Sequence, residues 1–450
     1  MEGHTPTGGQ SAAHALREMD GQISFWRGLP FGLQHVMAMF VANLAPVFLV
    51  AAAARLSPEQ SATVIQNGLL VAGLGTCLQL YPLWRIGGRL PMVTGISFTY
   101  VAAAVTIVAH QGYGAVVGAV LAAGFVELIL GLTADHWHRF VPPIVSAVVV
   151  TSIGFSLLSV GAQSFGGGAG AKDFGSWSNL ILATVSLVAC LAFQLLARGT
   201  AKQLSVLFGL VVGYLLALAM GKVDLSGFRN LQVLSIPHFM PFKPVFDPGA
   251  IISFALLYLV SSVEVIGDTT ALCRVGLNRR PTAAETSGAI AGDGAISIVS
   301  GAFGSLPLTS FAQNIGLIAM TKVVNRKVIL SGGLILVLAS FMPGFAALFN
   351  SLPQAVLGGC TIMMFGNIIL SGFQMIAEAG FSQRNITIAA LALTVGIGFT
   401  QVHEIFAAFP PLFQSIFSTN CIAVAFVVAV IANLVLPGEE HFLASASDED

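Results

Sequence analysis

Long apolar stretches recur along the whole chain, and they constrain its fold more than any other feature. Between Gly32 and Leu436, apolar runs alternate with short connectors rich in Gly, Pro and Arg. A helix of about 20 apolar residues crosses the hydrocarbon layer of a bilayer. The chain is 56% hydrophobic and 9% charged, whereas soluble domains carry about 25% charged residues. We therefore predict an all-α polytopic membrane protein, with the lipid bilayer as its immediate partner.

The apolar runs predict fourteen membrane-spanning segments. These segments are 32–54, 63–82, 91–108, 113–132, 142–161, 179–197, 204–220, 249–271, 285–303, 309–322, 328–349, 353–373, 385–400 and 412–436. With both termini cytoplasmic, most of the 19 Lys and Arg residues lie on the inner side, as the positive-inside rule requires. We therefore predict a multi-pass protein of an inner or plasma membrane, with cytoplasmic tails at 1–24 and, acidic in character, at 438–450.

Two of the spans contain residues that interrupt a helix. LPMVTGISFTYV, in the third span, and SLPLTSFAQNIG, in the tenth, both open with Leu-Pro. Irregular backbone at membrane depth occurs where it is buried in protein or lines a cavity, and interrupted segments at corresponding places in two halves mark a transporter's binding site. VPPIVSAVVVTSIG in the fifth span and LPQAVLGGCTIMMFG in the twelfth repeat the same offset of seven spans. An odd offset inverts the second copy, so we predict two inverted seven-span repeats, 25–222 and 249–437, joined by a loop at 223–248.

Acidic side chains in the eighth and ninth spans are candidates for the chemistry. Glu264 and Asp268 are four residues apart and therefore share one helical face. Carboxylates inside a membrane mark a substrate, ion or proton site, although neighbouring hydroxyl groups can also satisfy structural acids. Asp293 is a third buried acid, suited either to coupling or to a helix–helix hydrogen bond. Glu127, in the fourth span, is interpreted as structural.

Two adjacent carboxamides, Gln313 and Asn314, precede a short apolar run in the tenth span. A primary amide offers a donor and an acceptor side by side, which matches the edge of a purine or pyrimidine. The run behind them is predicted to be a half-helix whose N-terminus faces the cavity. Phe98 and Phe311 follow the interrupted segments, and their rings are suited to stacking on a flat heterocycle. The alternative is that the carboxamides only cap the half-helix.

Other site types find little support in the sequence. The 5 cysteines are scattered singly without CxxC or His spacing, so no metal site or cofactor is predicted. The charge pattern gives no reason to expect a nucleic-acid partner, and no arrangement typical of an enzyme is present. His35, alone on an apolar helix, is either a satisfied core histidine or a ligand.

The tenth span resembles the signature of a known family, the nucleobase-ascorbate transporters. That signature is Gln, Glu or Pro, then Asn, any residue, Gly, four residues and Thr. Gln313, Asn314, Gly316 and Thr321 match it, and Lys322 takes the permitted basic position. The surroundings of His35, the stretch from Glu264 to Asp268 and the Asp293 segment are also similar to their family counterparts.

The resemblance implies a fold and a function. The implied fold has fourteen spans in a core and a gate domain, with short strands in spans three and ten. The implied activity is proton-coupled import of a nucleobase by elevator-like movement of the core, commonly as a homodimer, with the proton as coupling ion. Substrate would bind at Glu264, Gln313, Phe98, Thr99, Phe311 and Asn314, and the candidates for proton coupling are Asp268, Asp293 and His35.

The substrate implied by the resemblance is an oxidised purine. Gln313 is similar to the xanthine and urate branch, whereas uracil carriers tend to have Glu at that position. Thr99 stands where many xanthine carriers have Asn, which leaves xanthine, urate or both open. The alternatives are a permease for uracil or another nucleobase, an anion transporter of related fold, and a membrane enzyme or receptor without transport.

Overall fold

Each of the fourteen predicted spans contains helix in the computed structural model, which describes residues 10–137, 141–225, 228, 233–410, 413, 414, 417 and 420–437. The helices and strands within these ranges, in chain order, are α1 (Gln10–Arg17), α2 (Phe25–Ala53), α3 (Pro58–Leu80), β1 (Thr94–Ile96), α4 (Val101–Gln111), α5 (Tyr113–Leu132), α6 (Ala134–Trp137), α7 (Pro143–Ser156), α8 (Leu158–Phe165), α9 (Trp177–Leu196), α10 (Thr200–Gln203), α11 (Ser205–Ala219), α12 (Pro248–Leu277), α13 (Ala283–Ala302), β2 (Leu308–Ser310), α14 (Ala312–Thr321), α15 (Arg326–Ser340), α16 (Pro343–Asn350), α17 (Gln354–Ala379), α18 (Gln383–Gln401) and α19 (Cys421–Val435). Short 3₁₀ turns lie at Phe98–Tyr100 and His403–Phe406.

The chain is a multi-pass membrane protein. Among the described residues, 7 helices are long and apolar enough to cross a bilayer, or 8 if α15 and α16, bent by 78° at their junction, form one span. Three shorter apolar helices also occur, at Phe98–Gln111, Ser205–Ala219 and Cys421–Val435. Because several spans are short or broken, helix length alone does not give the number of crossings, and fourteen stays a prediction. Part of the last predicted span, 412–436, lies outside the described residues.

The helices pack as two bundles. In the first bundle, α5 packs against α12 and α13, and α15 packs against α2 and α3. In the second bundle, α17 packs against α7, α8 and α9, while α18 packs against α19 and α7. Glycines allow the closest approaches, since a Cβ on Gly131 of α5 would lie 2.2 Å from the backbone nitrogen of Ala291 in α13. Contacts of α12 with α7 and α19, and of α2 with α11 and α17, join the bundles.

The two interrupted spans meet inside the first bundle. β1 and β2 pair antiparallel, with Thr94 opposite Ser310 and Ile96 opposite Leu308, so the short strands expected in spans three and ten are present. Side chains of neighbouring helices accept hydrogen bonds from backbone amides of the strands: Ile96 N donates to Asn43 Oδ1 (2.8 Å) and Leu308 N to Ser297 Oγ (3.0 Å). Buried backbone groups need such partners. The strands therefore give a rigid start to the helices that follow them.

Residues 10–22, within the predicted N-terminal tail, form a strap against the loop before α15. Asn325, fully buried, donates from Nδ2 to the carbonyls of Ala15 (2.8 Å), Glu18 (3.2 Å) and Gly21 (2.8 Å). Arg326 forms an ion pair with Asp20. The sequence pattern does not reveal this contact, because both partners are polar segments distant in the chain.

Replacing Asn325 with Ala should release this strap. The variant loses the two N–H donors that Nδ2 shares among three carbonyls and the Oδ1 cap that accepts from Lys327 N; at about 1 kcal/mol net per hydrogen bond, we expect the free energy of unfolding to fall by about 2–4 kcal/mol. Thermal unfolding and the rate of tryptic cleavage at Arg17 measure the effect. Asn350→Ala is the matched control, since its amide makes a single exposed bond, to Pro58 O. Equal stability of the two variants would contradict a structural role for the strap.

Candidate functional site

A cavity of about 180 Å³ lies between the paired strands and the second bundle. Its walls come from both bundles, and its lining residues are Ile96, Ser97, Phe98, Val150, Ile153, Glu264, Asp268, Thr309, Ser310, Phe311, Ala312, Gln313, Asn367, Ile368, Ser371 and Met375. Pockets for drug-sized ligands are about 300–1,000 Å³. This cavity therefore fits a small, compact ligand.

The two acids of α12 face this cavity, as the four-residue spacing predicts. Glu264 Oε2 accepts a hydrogen bond from Thr99 Oγ1 (2.9 Å), and Asp268 Oδ2 accepts one from Ser310 Oγ (2.5 Å). Thr99 itself is buried and is not part of the cavity wall. Each acid is thus oriented by a hydroxyl next to a strand, and Glu264 keeps acceptor capacity for a ligand.

Asp293 lies behind the strands and not at the cavity wall. It is fully buried, and its carboxylate accepts from Gln79 Nε2 (2.7 Å) and from Ser310 N (3.1 Å). Because Ser310 also donates to Asp268, β2 connects the two acids through one residue. Gln79 is a positioning residue that the sequence reasoning missed, since a single Gln in an apolar helix carries no pattern.

Gln313 and Asn314 have different surroundings. Gln313 lines the cavity, whereas Asn314 is buried and donates from Nδ2 to His35 Nδ1 (3.0 Å) and to His35 O (3.1 Å). His35 Nδ1 therefore acts as an acceptor, and its ring is the neutral tautomer with the proton on Nε2. Neither carboxamide caps α14, whose N-cap residue is Phe311 without a side-chain hydrogen bond. The capping alternative is wrong.

The N-terminus of α14 opens onto the cavity. Ala312 and Gln313, the first residues of the helix, are part of the wall. An uncapped N-terminus presents free N–H groups and the positive end of the helix dipole. In the first half, by contrast, Ser97 Oγ accepts from Thr99 N and satisfies one such group. The site therefore combines carboxylate acceptors on α12 with donors on α14.

Two aromatic rings complete the cavity. Phe98 packs edge-to-face on Phe365, with ring centroids 5.5 Å apart. The Phe311 ring lies over Gly95, where a Cβ would approach Phe311 Cε2 to 2.5 Å and Asn43 Oδ1 to 2.7 Å. Gly95 thus fixes the position of the Phe311 ring by leaving room for it.

Gly95→Ala should displace the Phe311 ring and distort the cavity. Overpacking of this kind costs typically about 1–3 kcal/mol, and we expect a lower melting temperature together with weaker ligand binding. The measurements are thermal unfolding with and without ligand. Gly398→Ala is the matched control, since a Cβ there meets nothing within 4 Å. A Gly95→Ala variant that keeps the ligand-induced stabilisation of the parent would contradict the proposed ring position.

The second bundle supplies wall residues that the sequence reasoning missed. Asn367 and Ser371 lie four residues apart on α17 and face the cavity opposite Glu264, with Val150 and Ile153 of α7 beside them. The i, i+4 spacing of two polar residues in an apolar helix was the available signal. Among the described residues that line the cavity there is no Lys, Arg or His.

Paired strands whose following half-helices begin at a cavity between two bundles define the fold and site of a secondary transporter. A family model described as "Permease family" (Xan_ur_permease) matches residues 27–405. The chain belongs to this family, the nucleobase-ascorbate transporters. Relatives of the chain are permeases and transporters, not enzymes.

Known proteins resemble the chain over nearly its whole length. The xanthine permease XanQ of Escherichia coli (strain K12) is 31% identical over 438 residues, covering 94% of this chain and 93% of the relative. The uric acid transporter UacT of the same organism is 31% identical over 443 residues, covering 96% of this chain and 92% of the relative. The transmembrane domain of the cyanobacterial bicarbonate transporter BicA matches with a TM-score of 0.57 at 17% identity, over 93% of this chain and 100% of that one. This structural likeness shows a shared fold.

Proposed function

We propose that the protein is a proton-coupled symporter that imports an oxidised purine, xanthine or urate. The observation that carries the proposal is the cavity in which a carboxylate, Glu264, faces an uncapped half-helix with the Gln313 amide beside it. Oxidised purines alternate ring N–H and C=O groups along their edges, which complements this arrangement of acceptors and donors. XanQ is a xanthine permease and UacT a uric acid transporter, which supports the same substrate class.

In the proposed complex, Glu264 accepts hydrogen bonds from ring N–H groups, and Gln313 pairs with an amide edge of the purine. Phe98 and Phe311 stack on or frame the ring. Thr99 and Asn314, which do not line the cavity, act indirectly: Thr99 orients Glu264, and Asn314 ties α14 to α2 through His35. We therefore assign these two residues to positioning and not to substrate contact.

Proton coupling is assigned to acids near the substrate. Asp268 lies in the cavity wall one helical turn from Glu264, and Ser310 connects it to Asp293. Protonation of Asp268 removes its charge and weakens the hydrogen bond from Ser310 Oγ, so a proton can loosen the contact between α12 and β2. His35 is a weaker candidate, because a second ring proton would confront the Asn314 amide with another donor.

The substrate is proposed to cross the membrane when the first bundle moves against the second. Gln313 and Asn367 line the substrate cavity and also a second cavity of about 140 Å³, whose wall includes Lys202 and Gln203. Lys202 lies on the side assigned to the cytoplasm by the positive-inside rule. We propose that this second cavity is the exit path for the substrate. We also propose that the protein works as a homodimer in an inner or plasma membrane.

The alternative of an anion carrier is not favoured by the site. BicA, which shares the fold, is a bicarbonate transporter. Sulfate, bicarbonate and dicarboxylates lack the ring N–H donors by which a purine, urate included, can bind carboxylates, and the described lining carries Glu264 and Asp268 and no cationic side chain. The α14 N-terminus alone supplies only a partial charge.

Uptake of labelled xanthine, urate and uracil, in cells lacking their own carriers, tests the proposal. We expect saturable uptake of xanthine or urate that competes with the other oxidised purine and falls when a protonophore dissipates the proton gradient. Uracil should compete weakly. Uptake of bicarbonate or sulfate without purine uptake would favour the anion carrier, and purine binding without uptake into proteoliposomes would favour a receptor.

A further inference from the structure

Glu127 is a buried acid that the proposed mechanism does not use. It lies on α5, facing the interior of the first bundle, and is 0% exposed. Neither carboxylate oxygen has a hydrogen-bond partner among the described residues. A buried carboxyl group in a native structure is normally hydrogen-bonded, so this exception requires a physical explanation.

Three hydroxyl groups surrounding Glu127 are also without partners. Tyr100 Oη, Tyr258 Oη and Ser261 Oγ are buried and make no hydrogen bond within the described part of the chain, and the two tyrosine rings lie 4.9 Å apart. Both tyrosines interact electrostatically with Glu127, while Ser261 lies beside Glu127 and Tyr100, and Ser297 beside Tyr258, near the limit of hydrogen-bonding range. We call Glu127, Tyr100, Tyr258 and Ser261 the Glu127 cluster. It places one carboxyl and three rotatable O–H groups in a single buried region.

Among the described residues, the titratable groups that act on Glu127 are two acids and two phenols. Asp293 approaches from α13, Glu264 and the Tyr258 phenol from α12, and the Tyr100 phenol from the turn after β1. An unpaired ionised carboxylate in the interior costs several kcal/mol, and nearby negative charges add to that cost. Glu127 is therefore stable as a carboxylate only when hydroxyl groups donate to it, and a nearby negative charge favours its protonated form.

The cluster has the groups needed for a second, ionised state. Ser261 already lies beside Glu127, and small movements of the Ser261, Tyr100 and Tyr258 side chains can bring O–H donors to a Glu127 carboxylate once it loses its proton. In the protonated state, the Glu127 O–H can instead donate to one hydroxyl oxygen. A site that supports both states by small side-chain movements is suited to binding and releasing a proton within the bundle.

The cluster is connected to the substrate site by short links. Tyr100 directly follows Thr99, whose hydroxyl donates to Glu264, and Ser261 and Glu264 lie three residues apart on α12. A change in the charge of Glu264 when purine binds therefore shifts the proton affinity of Glu127, because charges interact strongly through the low-dielectric interior.

We propose that the Glu127 cluster is a proton-binding site of the transport cycle, taking up one proton from water when purine occupies the cavity and returning it to water when purine leaves. The proposal rests on the proposed purine–proton symport and adds a carrier beyond Asp268 and Asp293. It makes Glu127 a coupling residue that does not touch the substrate.

The test uses full-length protein in proteoliposomes, with xanthine as the probe, urate in parallel, and Glu127→Gln as the variant. We expect counterflow exchange, which needs no net proton movement, to stay within about twofold of the parent. Accumulation driven by a membrane potential should fall, by about 50-fold per 100 mV for one lost coupled proton. In lightly buffered solution, purine binding to the variant should take up about one proton fewer than binding to the parent.

Controls separate this proposal from structural damage. Glu59→Gln, an exposed acid in the first turn of α3, should leave exchange and accumulation unchanged. Tyr258→Phe and Ser261→Ala remove hydroxyl donors without removing the acid, and should reduce accumulation more than exchange. These two variants test the proposal if Glu127→Gln does not fold. An unchanged proton-to-purine ratio in Glu127→Gln, an equal loss of exchange and accumulation, or accumulation that requires Na⁺ would overturn the proposal. Absence of purine transport by the parent would instead defeat the proposed function.

Discussion

Replacing Glu264 with Gln should abolish accumulation of xanthine and urate. Gln keeps the size of the side chain but turns one acceptor oxygen into an NH₂ group, which would face the ring N–H donors of the proposed substrate. Hydrogen bonds to charged groups are worth about 1.5–3 kcal/mol each. With two such bonds affected, we expect affinity to fall on the order of 100-fold or more.

Binding to purified protein and uptake into cells measure this effect separately. The Thr99 hydroxyl can donate to the Gln oxygen as it does to Glu264, so the fold should be retained and the melting temperature without ligand should change little. Glu59→Gln is the matched control for removal of a carboxylate. A Glu264→Gln variant with the parent's affinity for both purines would show that the assignment of Glu264 to substrate is wrong.

Replacing Gln313 with Ala should have the next largest effect, and it should weaken binding more than it weakens the fold. The side chain lines the cavity and is half-buried, and no side-chain hydrogen bond within the described protein depends on it. A bound purine edge left without its partner costs about 1–3 kcal/mol. We therefore expect affinity for xanthine and urate to fall by about 5–100-fold.

The order of affinities for xanthine, urate and uracil tests the role of Gln313 more directly. If the Gln313 amide pairs with an amide edge of oxidised purines, loss of its side chain should narrow the difference in affinity between these purines and uracil. Gln401→Ala, at an exposed position at the end of α18, controls for loss of a carboxamide. An unchanged ranking with unchanged affinity would place the purine away from the α14 N-terminus.

The sequence predicted the elements that build one wall of the cavity. Paired Leu-Pro interruptions located the two strands, and the spacing of Glu264 and Asp268 placed both acids on one face of α12. These features are local, so they can be read from a few adjacent residues. The opposite wall, formed by α7 and α17, depends on how the two bundles pack, and no local pattern encodes that packing.

Adjacency in sequence was misleading for Asn314. Successive residues of an α-helix point about 100° apart, so Gln313 and Asn314 cannot both face the same small cavity from the first turn of α14. Asn314 binds His35 of α2 instead. The same limitation applies to the N-terminal strap, whose partner Asn325 is far away in the chain, and to Glu127, whose unpartnered neighbours come from two other elements, α12 and the turn after β1.

The pairing of β1 with β2 has a consequence for biogenesis. β1 enters the bilayer early, but β2 is synthesised only after α12 and α13. Until then the backbone amides of β1 lack their strand partner, and unpaired amides are costly in lipid. The first half of the chain therefore cannot reach its final depth and packing by itself. We expect the nascent first half to be held by the insertion machinery or a chaperone, and truncations that end before Leu308 to be degraded.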